Sequence, residues 1–122
     1  MTILHITSRA EWLAAQARGI YEAPSLMSEG FIHCSTEEQV LAVADAFYHG
    51  QSGLVLLEVD GSRLTSDLRW EPPSGPPAPG ISASDLFPHI YGPLNVDAVV
   101  EALDFPPDTS GTFTLPSFLA KP

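Results

Sequence analysis

Gly53-Leu54-Val55-Leu56-Leu57-Glu58-Val59-Asp60 is the stretch on which the fold turns. It is almost continuously apolar and β-rich, so it reads as a strand covered on both faces, because a strand with one wet face would alternate. Gly61-Ser62 turns the chain after it. Working towards the N-terminus, Thr36-Glu37-Glu38-Gln39 matches a capping box, with carboxylates in the first turn where the helix dipole favours them. Val40, Leu41, Ala44 and Phe47 then supply a buried face, which predicts a helix over 36–49 that stops at Gly50. Phe31-Ile32-His33-Cys34 reads as a second strand. Tyr21 to Gly30 has no period and carries Pro24 and Ser25, which predicts a connecting loop. Thr2 to Thr7 is a β-branched strand leading into Ser8-Arg9-Ala10-Glu11, a second capping box, and the helix it opens runs over 9–18 to a stop at Gly19.

Towards the C-terminus, Leu68-Arg69-Trp70-Glu71 is a short strand. Pro72 to Gly80 contains five prolines and cannot donate a hydrogen-bond ladder, so 72–80 is a loop. Phe87 to Leu94 follows, and Ala98 to Phe105 reads as a strand or a short helix. The Pro-rich tail over 106–122 is expected on the surface, outside a domain spanning 1–105. The 122 residues suffice for one core, and 44% apolar with 16% charged residues is a globular composition. The expected fold is a single compact α+β domain with small mixed or antiparallel sheets and two main helices packed on one side.

Five Lys and Arg against fifteen Asp and Glu give a net charge of −10, a field that repels phosphate backbones and anionic lipid. Nucleic acid is therefore an unlikely partner and a small molecule the expected one. No apolar run reaches the roughly 20 residues of a membrane span, and no signal-peptide pattern opens the chain. The single cysteine, Cys34, cannot form an internal disulfide, which fits a cytoplasmic protein. Oligomeric state is not readable.

Three of the four histidines fall in strands. Strand alternation puts His5 on one face with Thr7, His33 with Phe31 and Ser35, and His89 with Tyr91. If those faces converge, they form a site of imidazoles and hydroxyls, the latter from Thr7, Ser35, Thr36 and Tyr91. The competing reading makes each histidine a core residue bonded to a carbonyl. A three-histidine zinc site is a further rival, though no HExxH or CxxC accompanies it. Cys34 faces away from His33 and reads as a small buried apolar residue, and His49 as a helix cap. Among carboxylates, Glu11, Glu37 and Glu38 are explained by capping. Glu71, at the mouth of the proline loop, is the candidate for meeting a ligand, the alternative being a surface ion pair with Arg69. GxGxxG and GxxxxGK[ST] loops are absent.

Leu4-His5-Ile6-Thr7-Ser8-Arg9-Ala10-Glu11-Trp12, the runs APSL (23–26), EGFIHCSTEEQV (29–40), LVLLEVD (54–60), RWE (69–71), FPHIYGPL (87–94) and DAVV (97–100) together resemble the family called domain of unknown function 952. That family is distantly similar to the ADP-ribosyltransferase fold, which includes RNA 2′-phosphotransferases, a compact α+β domain whose two small sheets clasp NAD or an ADP-ribosylated intermediate. The resemblance implies that His5-Ile6-Thr7-Ser8 is the counterpart of a His-Gly-Ser/Thr motif reaching the ribose, with isoleucine at the glycine position. It further implies that His33 sits under the nicotinamide and that Glu71 stands in for the glutamate at the ribose 2′-hydroxyl. His5, His33, Glu71 and His89 are then candidate catalytic residues, and Thr7, Ser35, Thr36 and Tyr91 candidate binding residues, for NAD, ADP-ribose or a related nucleotide. A carboxylate suits the positive charge that builds on ribose as a glycosidic bond breaks. The alternative function is a non-catalytic ligand-binding or interaction module with a structural histidine network.

Overall fold

The computed structural model describes residues 1–116 and contains eight strands and three α-helices among them. In chain order they are β1 (Thr2–Ser8), α1 (Arg9–Arg18), β2 (Ile20–Tyr21), α2 (Pro24–Glu29), β3 (Ile32–His33), α3 (Val40–Phe47), β4 (Leu54–Asp60), β5 (Asp67–Glu71), β6 (Phe87–Tyr91), β7 (Leu94–Asn95) and β8 (Val99–Asp104). All sheets are antiparallel and small: β1-β4-β8, β2-β7 and β3-β6-β5. The domain is α+β. Among the described residues no helix is long and apolar enough to cross a membrane.

β4 is the middle strand of its sheet and is covered on both faces, as its apolar run requires. Val55, Leu57 and Val59 pack with Ile3, Trp12 and Ala15 of α1, and with Ile32, Cys34, Ile90 and Leu94. Leu54 and Leu56 face the other way, onto Leu4, Ile6, Val40 and Ala44 of α3, and Phe105. The two helices thus lie on opposite faces, which corrects the expectation of one-sided packing. A strand apolar at successive positions needs a cover on each side.

α1 runs over 9–18 as read from its capping box. Ser8 accepts from the Glu11 N–H at 3.1 Å, and Gly19 closes the helix at φ 85°. α3 is shorter than the expected 36–49. Residues 36–39 form a turn in which the Thr36 N–H donates to Gln39 Oε1 at 3.0 Å, and helical geometry lasts only from Val40 to Phe47. Gln39 also donates to the Leu86 carbonyl, so its side chain is occupied in pinning the loop rather than in extending the helix. The expected connecting loop over 21–30 contains β2 and α2. Pro24 occupies the first turn of α2, where its missing N–H costs nothing, so a residue read as a breaker is a starter here. Ala98 to Phe105 resolves into β8, after a short turn of 3₁₀ helix.

The segment after Phe105 departs from the expected surface tail, of which 117–122 lie outside the described residues. Phe113 is 4% exposed and stacks on Phe105 with ring centroids 4.8 Å apart. Its N–H donates to Asp45 of α3 at 2.9 Å, and the Gly50 N–H donates to the Gly111 carbonyl at 2.9 Å. These bonds hold 106–116 against α3 and the face of the central sheet that α3 covers. Replacing Phe113 with Ala is expected to cost about 3–5 kcal/mol in urea unfolding, the range for a buried aromatic. A loss below about 0.5 kcal/mol, typical of surface positions, would place the segment outside the core.

Candidate functional site

Beyond Leu4, β1 is a free sheet edge. Leu4 and Ser35 exchange main-chain hydrogen bonds of 2.8 Å in both directions, tying the outer side of β1 to the chain leaving β3. Because outward and inward main-chain groups alternate along an antiparallel strand, the N–H and C=O of Ile6 point to that same outer side. A cavity of about 580 Å³ opens there. His5, Thr7, His33, Ser35 and His89 line it, together with Glu11, Tyr21 and Glu29, the apolar or aromatic Phe47, Tyr48 and Phe87, and Pro73, Ser74 and Pro76 of the proline loop. The converging strand faces therefore bring all three strand histidines to one cavity.

The histidines differ in their partners. His5 is buried, with Nδ1 2.6 Å from the His33 carbonyl and Nε2 2.8 Å from the Tyr21 hydroxyl. A carbonyl only accepts, so Nδ1 carries the proton. Burial pulls the His5 pKa down to about 4 against the opposing hydrogen bond to the His33 carbonyl, so the ring is neutral near pH 7 and Nε2 is an acceptor. The single Tyr21 proton then goes to His5, and Thr7 Oγ1, 3.0 Å from the Tyr21 oxygen, supplies its own proton to that oxygen. Burial raises the Tyr21 pKa, which keeps the phenol protonated for this role.

His89 is 3% exposed and stacks on Phe31, ring centroids 4.1 Å apart. Its Nδ1 lies 2.8 Å from Glu71 Oε1, and the Tyr91 hydroxyl donates to the same oxygen at 2.6 Å. These two hydrogen bonds, Tyr91 first, hold the Glu71 pKa below the usual carboxylate range. Glu71 accepts the hydrogen bond from Nδ1–H, and Nε2 of His89 has no hydrogen-bond partner among the described residues. His33 repeats the pattern. Its Nε2 is 3.0 Å from Glu29 Oε2, and Glu29 is held ionised chiefly by that bond, while Ser74 Oγ donates to the other Glu29 oxygen at 3.1 Å. The His33 and His89 rings meet edge to face at 5.5 Å.

Glu71 and Tyr91 do not line the cavity; they orient His89 from behind. Arg69 pairs with Asp67 and lies over the Tyr91 ring at 4.2 Å, so the alternative of a Glu71–Arg69 surface pair gives way to a Glu71–His89 pair. Thr36 also stays out of the cavity, its N–H spent on Gln39. Cys34, just past β3, is buried in the core and also borders the cavity, and burial raises its thiol pKa. Among the described residues no group of three or more His, Cys, Asp or Glu is arranged to hold a metal ion. Sequence reading missed Tyr21, Glu29 and Ser74. The one available signal was Glu29 four residues before His33, a spacing that normally means pairing only within a helix.

The neutral state of His5 has a measurable consequence. In the unfolded chain a histidine takes up a proton below about pH 6.5, while folded His5 does not until about pH 4, so stability falls as pH drops through that window. The full effect is on the order of 3 kcal/mol. Denaturant titrations at pH 7 and 5.5, above the ordinary range of Asp and Glu, are expected to show the first part of this loss and to show less of it in His5→Asn. An identical pH dependence in the variant would contradict the assignment.

The model of the family described as "Protein of unknown function (DUF952)" matches residues 6–102. The crystal structure of protein CC0527 from Caulobacter crescentus is 38% identical, with 99% of this chain and 100% of that chain covered and a TM-score of 0.84. Its solution NMR structure is 39% identical over 98% and 97% of the two chains, with a TM-score of 0.75. Among curated proteins none matches the chain. With four fifths of its length under the family model and its fold shared end to end with CC0527, the chain belongs to the DUF952 family.

Proposed function

We propose that the cavity binds a ribosyl compound of the nucleoside class and that His89, oriented by Glu71, is its acid–base group. The observation that carries this reading is the free Nε2 of a nearly buried imidazole in a 580 Å³ cavity, with its other nitrogen fixed by an ionised carboxylate. A volume of this size is in the range of small-ligand pockets. Imidazole is the side chain suited to taking and returning a proton near neutral pH, and a carboxylate on its far nitrogen sets the tautomer. Ser35, Ser74 and the Ile6 main chain offer hydrogen bonds to sugar hydroxyls, and the aromatic and proline walls suit a flat ring.

NAD and ADP-ribose fit this donor set only in part. Imidazoles and hydroxyls suit a ribose, but no Lys or Arg is among the described lining residues to meet a pyrophosphate. In this reading a diphosphate lies outside the cavity and the nucleoside end inside it. For ribosyl transfer or hydrolysis, the glycosidic bond would break with its electron pair going to the departing base, the attacking hydroxyl oxygen would bond the anomeric carbon, and its proton would pass to His89 Nε2 and on to the base, while the Glu29 carboxylate faces the positive charge developing on the sugar. His5, with both nitrogens occupied, is a positioning residue that fixes the His33 main chain. That part of the histidine set agrees with the structural-network alternative.

The test is a thermal-shift series with ribose, adenosine, ADP-ribose and NAD. A ligand at about 100 times its Kd adds roughly 2.7 kcal/mol of stability, several degrees for a domain of this size. Adenosine is expected to shift the Tm at least as far as ADP-ribose, and the shift to vanish in His89→Ala and weaken in Glu71→Gln. No shift with any of the four, or an undiminished shift in His89→Ala, overturns the reading. Binding without release of free base or ribose over hours would make the protein a binding module rather than an enzyme.

A further inference from the structure

We infer that the ligand is amphiphilic, a nucleoside whose base carries an apolar substituent seated against α3. This deepens, and rests on, the assignment of the cavity to a nucleoside-class ligand.

The cavity straddles the free edge of β1, so strand alternation gives it two unlike sides. His5 and Thr7 point to the face of the sheet that α1 covers and lead on to His33, His89, Glu29 and Ser74. Ile6 and Leu54 point to the face that α3 covers, where Val43, Phe47 and Tyr48 complete the wall. One side is built of imidazoles, hydroxyls and a carboxylate, the other of hydrocarbon and aromatic rings. The division comes from strand register and holds at any protonation of the histidines.

The polar groups near the α3 side do not change its character. At the end of β1, Ser8 and Glu11 bond each other. Gln51 is exposed, and burial raises the Tyr48 pKa, which keeps that hydroxyl uncharged. No Lys or Arg is among the described lining residues, so a phosphate or carboxylate arm would lose its hydration here with no counter-charge to replace it.

A ribose spends its hydroxyls on the polar side, which leaves the base to reach across the β1 edge. The volume of about 580 Å³ belongs with drug-sized ligands and exceeds what a bare nucleoside fills. The space left over lies against Val43, Leu54 and Phe47, and Phe47 is 65% exposed although it borders a cavity. Water held against such a wall gains no hydrogen bonds from it, and an apolar group on the base displaces that water favourably.

The test is calorimetric titration with adenosine and N6-benzyladenosine. The benzyl compound is expected to bind about tenfold or more tightly, with a more negative heat-capacity change, the mark of added apolar burial. In Phe47→Ala and in Val43→Trp, which fills the α3 side, that ratio is expected to fall by about threefold or more. Thermal melting verifies that each variant folds, and Phe47→Ala, at an exposed position, keeps the comparison available if Val43→Trp does not. Equal or weaker binding of the benzyl compound overturns the inference, as does a ratio unchanged in every folded variant. If adenosine alone binds, the apolar substituent is ruled out and the nucleoside-class reading stands. If neither binds, both fail.

Discussion

The paired 2.8 Å hydrogen bonds between Leu4 and Ser35 are the joint on which the site depends. They stitch the outer edge of the central sheet to the end of β3 at a single residue pair and leave the rest of that edge open. The joint is short because Ser35 is followed at once by the turn at 36–39 that leads into α3. Had β3 continued along β1, main-chain pairing would have filled the space that the cavity occupies. The His5 side chain reinforces the joint from the neighbouring position by bonding the His33 carbonyl, and this sets where the His33 ring stands relative to His89. The cost is a fully buried imidazole whose polar atoms must all be matched, and Tyr21 and Thr7 match them.

Two carboxylate-backed histidines side by side are held by different means. The Glu71–His89 pair is built within one hairpin, β5–β6, where Arg69 is directly opposite His89 and Glu71 opposite Phe87. Its geometry follows from strand register, with Tyr91 and the stacked Phe31 as lateral supports. The Glu29–His33 pair instead spans the end of α2, Gly30 and the start of β3. Gly30, at φ 92°, makes the turn that returns Glu29 to His33, a conformation that an L side chain rarely adopts. One pair is thus braced by a sheet and the other by a helix end.

The parts legible in the sequence are those set by local chemistry. The apolar run of β4, the capping box and Gly19 stop of α1, and the alternation that puts His5 with Thr7 and His89 with Tyr91 all depend on neighbours in the chain, and they appear in the structure where read. What escaped depends on distant partners. α2 is six residues with a proline at its start, too short to carry a period. β2 and β7 are two residues each and exist only because they meet. Phe113 is buried by packing against α3, far from it in the chain. Tyr21 and Glu29 gained their roles in the same way, since neither has a local pattern that marks it as a neighbour of a histidine.

The proline loop has a consequence for how the cavity is covered. Ser74 bonds Glu29 across the opening, Pro73 and Pro76 form part of the wall, and Gly80 comes to rest against Ala42 of α3. With φ locked at five of nine positions in 72–80, this segment has few shapes even when detached. Docking it therefore sacrifices less chain entropy than docking a glycine–serine loop of equal length. Its stiffness makes it a wall that meets the cavity already shaped rather than a curtain that must first be ordered.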